Sequence, residues 1–388
     1  MPLLLVAAWA EPASAHVERF AVLIGNDIGT PEETPLRYAT ADALRMQTVL
    51  RELGGFEPFN MVLLRNEDAA TARSTLLSMN ERIREAVARP DTDVLFLVYY
   101  SGHADARQLH LGDSELPVRE LAQIVRGSAA TFRLVVLDAC RSGTLTRVKG
   151  GRVVDPFALP DDRLPGDGLA YLTSASASED AQESDRLQGS FFTHSLISGL
   201  MGAADRDGNG SVVLEEAYRY AYDATRRATS RTRAGTQHPT FRYDFRGSGQ
   251  LVLTRPGAQP HTRGRLLLPS GMSFMLMRED EDGAVVAELS SRAPRRELSV
   301  RPGRYFVRAR GTDVLFEGEV RVGAGASRQV DPAEMRRIEY AQLVRKGEGR
   351  ARLAQGPEAG MRVRSPLPNE AQECIGAFGD YAVDFASV

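Results

Sequence analysis

Up to residue 255, short apolar runs alternate with longer segments whose apolar residues recur at helical spacing. Runs that are apolar at almost every position predict strands buried on both faces of a sheet, and they cover residues 19–24, 60–64, 94–100, 133–137, 168–174 and 249–253. The segments between them predict helices over residues 39–53, 70–89, 116–125, 191–201 and 214–229. This alternation predicts an α/β fold in which a mainly parallel sheet lies between two layers of helices.

After residue 255 the apolar pattern changes to a period of two. Residues 256–263 contain Pro, Gly and Gln and predict a linker. Short alternating runs separated by Gly, Asp and Pro follow over residues 264–332, and they predict a small all-β sandwich domain. Residues 331–346 predict a helix, and the remainder of the segment 333–388 shows no clear core. Its alternating end predicts a strand that has been cut off from a longer protein.

The first 15 residues have the features of a signal peptide. Residues 3–10 are apolar, a proline follows, and residues 13–15 (Ala-Ser-Ala) have the small-x-small pattern of a signal-peptidase site. No Lys or Arg precedes Arg19, so the usual positive start is missing. We expect export to the periplasm, the cell envelope or the medium, and the alternative is an apolar tail on a cytoplasmic protein. No later stretch is long and apolar enough to predict a transmembrane helix.

Composition narrows the possible functions. The net charge of −3 and the pI of about 6.2 give no basic field of the kind that binds nucleic acid. The chain has only two cysteines, Cys140 and Cys374, which excludes a disulfide framework and a multi-cysteine zinc site. We expect Cys374 to be a free thiol. Composition leaves the oligomeric state open.

Two chemically reactive side chains follow successive predicted strands. Ser101-Gly102-His103 ends one strand and Asp138-Ala-Cys140 ends the next, and parallel strands bring their carboxyl ends to one edge of the sheet. An imidazole close to a thiol can remove its proton and make it a nucleophile. The backbone N–H groups of Gly102 and Cys140 could then bind a developing oxyanion. Either residue alone would more often be structural, because cysteine is commonly a small buried apolar residue.

These motifs resemble those of the caspase-like clan of cysteine peptidases, which contains caspases, metacaspases and their bacterial orthocaspase-type relatives. Residues 138–143 (Asp-Ala-Cys-Arg-Ser-Gly) are similar to the metacaspase pattern Asp-x-Cys-His-Ser-Gly, with Arg141 in the place of the usual histidine. Residues 22–26, 173–176 and 189–193 also match, so the resemblance covers about residues 18–255. It implies a caspase-like three-layer sandwich and a His103–Cys140 dyad that needs no cofactor. The spacing from His to Cys is shorter than in most of the family.

The resemblance also implies cleavage of peptide or protein substrates after Arg or Lys. Metacaspases carry Asp two residues before the cysteine, where caspases carry Gln, and this chain has Asp138 there. The family pattern adds Asp42 and Ser101 to the same pocket. Two carboxylates in a narrow pocket favour a guanidinium or an ammonium group over an acidic side chain. The alternative for Asp42 is an ordinary carboxylate on a helix surface.

Residues 144–164 contain Gly, Pro, Asp and several basic residues, which predicts an exposed loop after the cysteine. In this clan the corresponding linker is often cut by the enzyme itself. The candidates for self-cleavage are Arg147, Lys149 and Arg152. The alternative is an ordinary solvated loop.

Residues 205–216 fit the calcium-binding loop of an EF-hand. Its oxygen ligands would come from Asp205, Asp207, Asn209, the carbonyl of Ser211 and Glu216. A Ca²⁺ ion here would be structural, and the alternative is a tight turn between two helices. For the whole chain, the alternative to a peptidase is a catalytically idle caspase-like scaffold or binding protein in the cell envelope.

Overall fold

The computed structural model describes residues 16–105, 107–141, 168–176, 179–230, 232–245, 251–258, 261–293 and 296–340. In chain order its first part contains β1 (His16–Gly25), α1 (Ala39–Leu53), β2 (Met61–Arg65), α2 (Ala69–Val87), β3 (Thr92–Ala104), β4 (Gln108–Leu111), β5 (Ser114–Pro117), α3 (Val118–Arg126), β6 (Phe132–Arg141), β7 (Gly168–Thr173), β8 (Glu183–Ser184), β9 (Gly189–Ser190), α4 (Phe191–Ser198), β10 (Val212–Val213), α5 (Leu214–Thr229) and β11 (Thr240–Phe245).

The central sheet has the strand order β11-β7-β6-β3-β1-β2. All neighbours along it are parallel except β11, which is antiparallel to β7. Because side chains alternate along a strand, Leu97 and Tyr99 of β3 face one apolar core and Val98 and Tyr100 face the other. Helices α1, α4 and α5 contribute to the first core, and α2 and α3 contribute to the second. The mainly parallel sheet between two helical layers is therefore confirmed.

The helices agree best with the sequence pattern, and the short strands agree least. Helices α1 and α5 have the predicted bounds, and α4 continues as a π-helical turn at Gly199–Ala203. The hairpin of β4 and β5 is not predicted, and α3 begins at Val118 because Leu116 and Pro117 belong to β5. Of the segment 249–253, which is predicted to close the sheet, the described residues 251–253 do not join it; β11 does so instead.

The remaining strands are β12 (Val252–Thr254), β13 (Gly264–Leu267), β14 (Ser273–Arg278), β15 (Val285–Leu289), β16 (Glu297–Val300), β17 (Gly303–Arg310), β18 (Val314–Val322), β19 (Ser327–Gln329) and β20 (Arg336–Glu339). β12 pairs with β10. The others form a three-stranded sheet, β16-β13-β19, and a five-stranded sheet, β15-β14-β17-β18-β20. Their pairs are antiparallel except β13 with β19, which is parallel.

The helix predicted over residues 331–346 is wrong for the residues that the structure describes there. A 3-10 turn covers Pro332–Glu334, and β20 follows as an edge strand on β18. Arg336 donates to the buried Glu317 carboxylate of β18 at 2.8 Å. Pairing with the sheet therefore overrides the local helical pattern.

The C-terminal sheets pack directly on the first part of the chain. Leu276 and Leu289 belong to the same buried cluster as Leu196 and Leu200. The Tyr220 hydroxyl of α5 donates to the Glu288 carbonyl of β15 at 2.8 Å. The two parts therefore share one core on the α4 and α5 side of the central sheet. Among the described helices, none is both long enough and apolar enough to cross a membrane.

Candidate active site

Sheet register brings the two predicted reactive residues together. Strands β3 and β6 are parallel neighbours, and His103 and Cys140 are Cα partners across them. Adjacent strands lie about 4.8 Å apart, so the two backbones are within reach of a shared substrate. Ser101 and Asp138 are partners in the same register, two residues earlier on each strand. This is the edge that the alternation of strands and helices predicts for the chemistry.

The His103 ring is buried, with 6% of the residue exposed, and one of its nitrogens is fixed. Nε2 lies 3.0 Å from the carbonyl oxygen of Thr34, in the loop between β1 and α1. A carbonyl can only accept, so Nε2 must carry the proton and Nδ1 holds the lone pair in the neutral ring. Within the described part of the chain, Nδ1 has no hydrogen-bond partner. In the neutral ring the lone pair at Nδ1 is thus available to accept a proton.

A largely enclosed carboxylate, that of Glu33, lies on the Nδ1 side of this histidine. Glu33 Oε1 is 3.9 Å from His103 Nδ1, and both Glu33 oxygens lie 2.9 Å from Nδ1 of His110 on β4. The backbone N–H of Thr30 donates to Glu33 Oε2 at 2.8 Å, which holds the side chain in the loop. Glu33 therefore places a negative charge between two imidazole rings.

The pKa of His103 is lowered from its ordinary value, chiefly because burial penalises the charged ring. Glu33 and the Thr34 carbonyl oppose this shift, and the neighbouring His110 adds to it. At neutral pH the ring is therefore neutral, which is the form that can accept a proton from a thiol.

Gly102 lies between Ser101 and His103 in a crowded part of β3. A β-carbon on Gly102 would lie 2.5 Å from the Tyr100 hydroxyl oxygen and 3.1 Å from the carbonyl oxygen of Asn26. The Tyr100 hydroxyl is 2.5 Å from the His103 carbonyl and 2.9 Å from that of His110, which ties β3 to β4. Glycine is needed at residue 102 because no side chain fits beside this hydroxyl.

The predicted acidic residues meet at the start of α4. Ser190 is the N-cap of this helix; its backbone N–H donates to Asp42 Oδ2 at 2.9 Å, and its hydroxyl donates to Asp138. Thr193 donates its hydroxyl to Asp138 Oδ2 at 2.6 Å and is itself 2.7 Å from the Tyr99 hydroxyl. The positive end of a helix favours carboxylates at this position.

Both carboxylates are deeply buried, and burial changes their acidity. Asp42 is 0% exposed, and desolvation raises its pKa to about 7 despite the opposing charge of Arg45. Burial also raises the pKa of Asp138, against the hydrogen bonds from Ser190 and Thr193. The surface-carboxylate alternative for Asp42 is therefore wrong.

Arg45, which the sequence pattern does not single out, is the cation at this site. It lies one turn after Asp42 on α1 and forms an ion pair with Asp42 Oδ1. Asp42 therefore already has an internal basic partner in this structure.

The residues of the predicted calcium loop are also close together. Oxygens of Asp205, Asp207 and Glu216 lie within 4.8 Å of one another. Asp205 accepts from the backbone N–H groups of Gly208 and Gly210, and Glu216 accepts from those of Arg206 and Val213. Asn209 Oδ1 accepts from the Ser211 N–H. The loop connects the π-helical turn after α4 to α5, whereas His103 lies on β3.

Several predicted residues lie outside the described part of the chain. These are the self-cleavage candidates Arg147, Lys149 and Arg152, together with Cys374 and the signal-peptide-like residues 1–15.

No sequence pattern assigns a role to Glu33, Thr34, His110, Arg45, Ser190 or Thr193. Ser190 and Thr193 lie in a segment that matches the family pattern, which is the one signal that could have identified them. The others come together only through tertiary folding of loops and hairpins.

Comparison with known proteins gives one family match by sequence and matches among solved structures. A sequence model of the family described as "Caspase domain" matches residues 18–246. A search of the curated proteins finds no significant match. Among solved structures, caspase-1 from Spodoptera frugiperda is 15% identical with a TM-score of 0.45, over 66% of this chain and 98% of that chain. The structure of pro-sf-caspase-1 gives the same identity and TM-score over 64% and 97%.

The family model spans more than half of the chain and coincides with the central sheet, its helices and the edge that carries His103 and Cys140. Members of this family are cysteine endopeptidases. The chain therefore belongs to the caspase family of cysteine peptidases.

Proposed function

We propose that this chain is a cysteine endopeptidase that cleaves after Arg or Lys, with His103 and Cys140 as its catalytic dyad. The observation that carries the proposal is the register of β3 and β6, which pairs His103 with Cys140. The fixed Nε2–H of His103 supports it, because a base lone pair is then left at Nδ1. Gly102 and Cys140 N–H groups are the proposed oxyanion donors.

The proposed reaction proceeds in two steps. Nδ1 of His103 takes the thiol proton, and the sulfur of Cys140 attacks the peptide carbonyl carbon. As the C–N bond breaks, His103 returns the proton to the leaving amine and a thioester remains. A water molecule then gives a proton to His103 and attacks the thioester, which releases the acid product and restores the thiol. Glu33 favours the imidazolium form that arises in each step.

The proposed substrate specificity is supported by the acidic residues at the start of α4. Asp42 and Asp138 both bind Ser190, and Ser101 is the register partner of Asp138. A guanidinium or ammonium group could form charge-assisted hydrogen bonds with such carboxylates.

The test is a fluorogenic peptide assay on the full chain. We expect Arg and Lys peptides to be cleaved by the wild type and not by Cys140→Ala. Turnover of the same peptides by Cys140→Ala would show a contaminating peptidase. Absence of turnover on all peptides would favour the catalytically idle scaffold.

Self-processing is a second part of the proposal. Cleavage after Arg147, Lys149 or Arg152 is supported by their position soon after Cys140 and by the proposed specificity for basic residues. Purified wild type should give two bands on a gel where Cys140→Ala gives one. Two bands from both proteins would contradict self-processing.

We also propose that residues 205–216 bind a structural Ca²⁺ ion. The closeness of the Asp205, Asp207 and Glu216 carboxylates supports this. In paired EF-hands a short strand in each loop pairs with the strand of the other loop; here the strand in the loop, β10, pairs with β12. Calcium should raise the melting temperature of the wild type but not of Asp205→Ala. Equal shifts in both proteins would overturn the site.

Export is proposed from residues 1–15 alone. N-terminal sequencing of protein recovered from outside the cytoplasm should find residue 16 first. Recovery of the full chain from the cytoplasm would contradict it.

A further inference from the structure

Arg45 is held over Asp42 by the hairpin of β8 and β9, here called the strap (residues 183–190). Its Nη2 donates to the Gln188 carbonyl at 2.7 Å as well as to Asp42, and Nη1 lies 3.2 Å from the Leu187 carbonyl. The strap passes so close that a β-carbon on Gly189 would lie 1.8 Å from Nη2. The guanidinium is therefore enclosed between the Asp42 carboxylate and the strap backbone.

The strap is in turn anchored on the C-terminal sheet. Leu187 is 3% exposed and packs in a small cluster with Met275 and Met277 of β14 and Val285 of β15. Arg186 donates to Glu288 Oε1 of β15 at 2.8 Å. The position of the strap, and with it that of Arg45, therefore depends on the C-terminal strands.

The opposite end of the strap is attached to the start of α1. Glu183 accepts from the backbone N–H groups of Arg37 and Tyr38 at 3.1 and 3.2 Å. Asp185 accepts from the side chains of the same two residues. The strap thus bridges the C-terminal sheet and the helix that carries both Asp42 and Arg45.

Arg45 is a partly exposed partner for a fully buried carboxylate. Its Nε is buried and has no hydrogen-bond partner among the residues that the structure describes. Its side chain is 29% exposed, whereas that of Asp42 is 0% exposed. Arg45 takes Asp42 Oδ1 and the Ser190 N–H takes Oδ2, so a second guanidinium would reach this carboxylate by replacing Arg45.

We propose that Arg45 is a built-in competitor for the basic side chain of the substrate, and that the C-terminal sheet sets the strength of this competition through the strap. The inference rests on the proposed specificity for Arg and Lys at Asp42 and Asp138. A substrate would bind by displacing Arg45 from Asp42, so Arg45 lowers affinity for basic side chains and makes access depend on the strap. It also gives the C-terminal sheets a role in recognition.

The test separates binding from chemistry by using full-length protein with Cys140→Ala as the background. Agmatine, which carries the guanidinium of arginine, is titrated calorimetrically at pH 8.5, where Asp42 is ionised. Arg45→Gln should bind agmatine about 10-fold more tightly, because the Arg45 guanidinium no longer competes with agmatine for the Asp42 carboxylate. Arg186→Gln, which loosens the strap without touching Asp42, should bind about 3-fold more tightly by the same logic.

The control is Arg51→Gln, which removes the same charge from a more exposed position on α1 and should leave agmatine affinity unchanged. Thermal melting of each variant checks folding, and Arg186→Gln keeps the test open if Arg45→Gln unfolds. Equal or weaker agmatine binding by both variants, or no binding by any protein, would overturn the inference. If Arg45→Gln and Arg186→Gln bind agmatine more tightly but protein that retains Cys140 cleaves no Arg peptide, the peptidase proposal would be contradicted. The inference that Arg45 competes for Asp42 would still hold.

Discussion

The candidate site has a reactive half, at His103, and an acidic half, at Asp42 and Asp138, and the two differ in how many internal hydrogen-bond partners they have. At His103, a single carbonyl fixes one ring nitrogen, and the other is buried without a hydrogen-bond partner among the described residues. At Asp42 and Asp138, each carboxylate already accepts at least two donors from within the chain. His103 therefore keeps an unused acceptor, whereas Asp42 and Asp138 already accept from Arg45, Ser190 and Thr193.

On the proposed function, His103 is therefore ready to act as a base while the acidic residues that would bind the substrate are engaged by internal partners. The orientation of His103 is fixed by the carbonyl of one loop residue, Thr34. The partners of the two aspartates come from α1, the strap and the first turn of α4, and the strap covers Arg45. We therefore expect substrate binding to be the step that responds to changes in the C-terminal sheet.

The largest expected effect among substitutions that sharpen this contrast is that of Asp138→Asn. Removing one buried charge from the acidic half should lower kcat/KM for an Arg peptide by about 100-fold. An otherwise identical citrulline peptide, which is neutral, should be affected little. The ratio of the two rates is the measurement, with the exposed Asp113→Asn as the matched control. Equal losses on both peptides would mean that Asp138 supports the fold and does not select the substrate.

A second prediction concerns His194 on α4, the helix whose N-cap binds both aspartates. Burial lowers the pKa of His194 to about 3, so the unfolded chain, with an ordinary pKa of about 6.5, takes up a proton on acidification that the folded chain does not. Between pH 7 and pH 5 this should lower the free energy of unfolding by about 2 kcal/mol relative to His194→Gln.

Urea unfolding of the two proteins at both pH values measures that difference, because the titration of all other groups cancels. The exposed His261→Gln should behave like the wild type. If the difference in free energy of unfolding between the wild type and His194→Gln does not change with pH, His194 takes up a proton in the folded chain as it does in the unfolded chain. The burial of His194 on α4 would then not lower its pKa.

The smallest expected effect tests the reactive half. Among the charged and titratable side chains that the structure describes, Glu33 of the loop after β1 raises the pKa of His103 and His110 of β4 lowers it. Glu33→Gln should therefore move the acid limb of the kcat/KM profile to lower pH, while the exposed neighbour Glu32→Gln should leave it in place. A shift to higher pH would contradict the role of Glu33 as the charge that stabilises the imidazolium form.

Much of this architecture could be predicted from the sequence, because the signal is periodic. Helices α1 and α5 have long amphipathic patterns, and β1, β3 and β6 are buried on both faces, so each is visible locally. The pairing of His103 with Cys140 follows from the parallel order of those strands. The short edge strands β4, β5, β11 and β20 could not be predicted, since their positions depend on the neighbour with which they pair.

The site residues that the sequence pattern does not identify also depend on contacts between distant parts of the chain. Asp42 and Asp138 belong to a known family pattern, but their convergence on Ser190 depends on how α4 docks against β6. Arg45 reads as an ordinary polar position on α1, and only the strap, far away in sequence, places it over Asp42. Glu33 lies in a loop with two prolines and shows no periodic pattern.

The central claim is that Cys140, activated by His103, attacks substrates with a basic side chain. It is tested most directly by covalent labelling with an arginyl chloromethyl ketone peptide, followed by mass spectrometry of the digested protein. We predict an adduct on Cys140 in the wild type, strong loss of that adduct in His103→Ala, and none with the matching aspartyl probe. Equal labelling of Cys140 in His103→Ala, labelling of Cys374 instead, or labelling by the aspartyl probe alone would contradict the account.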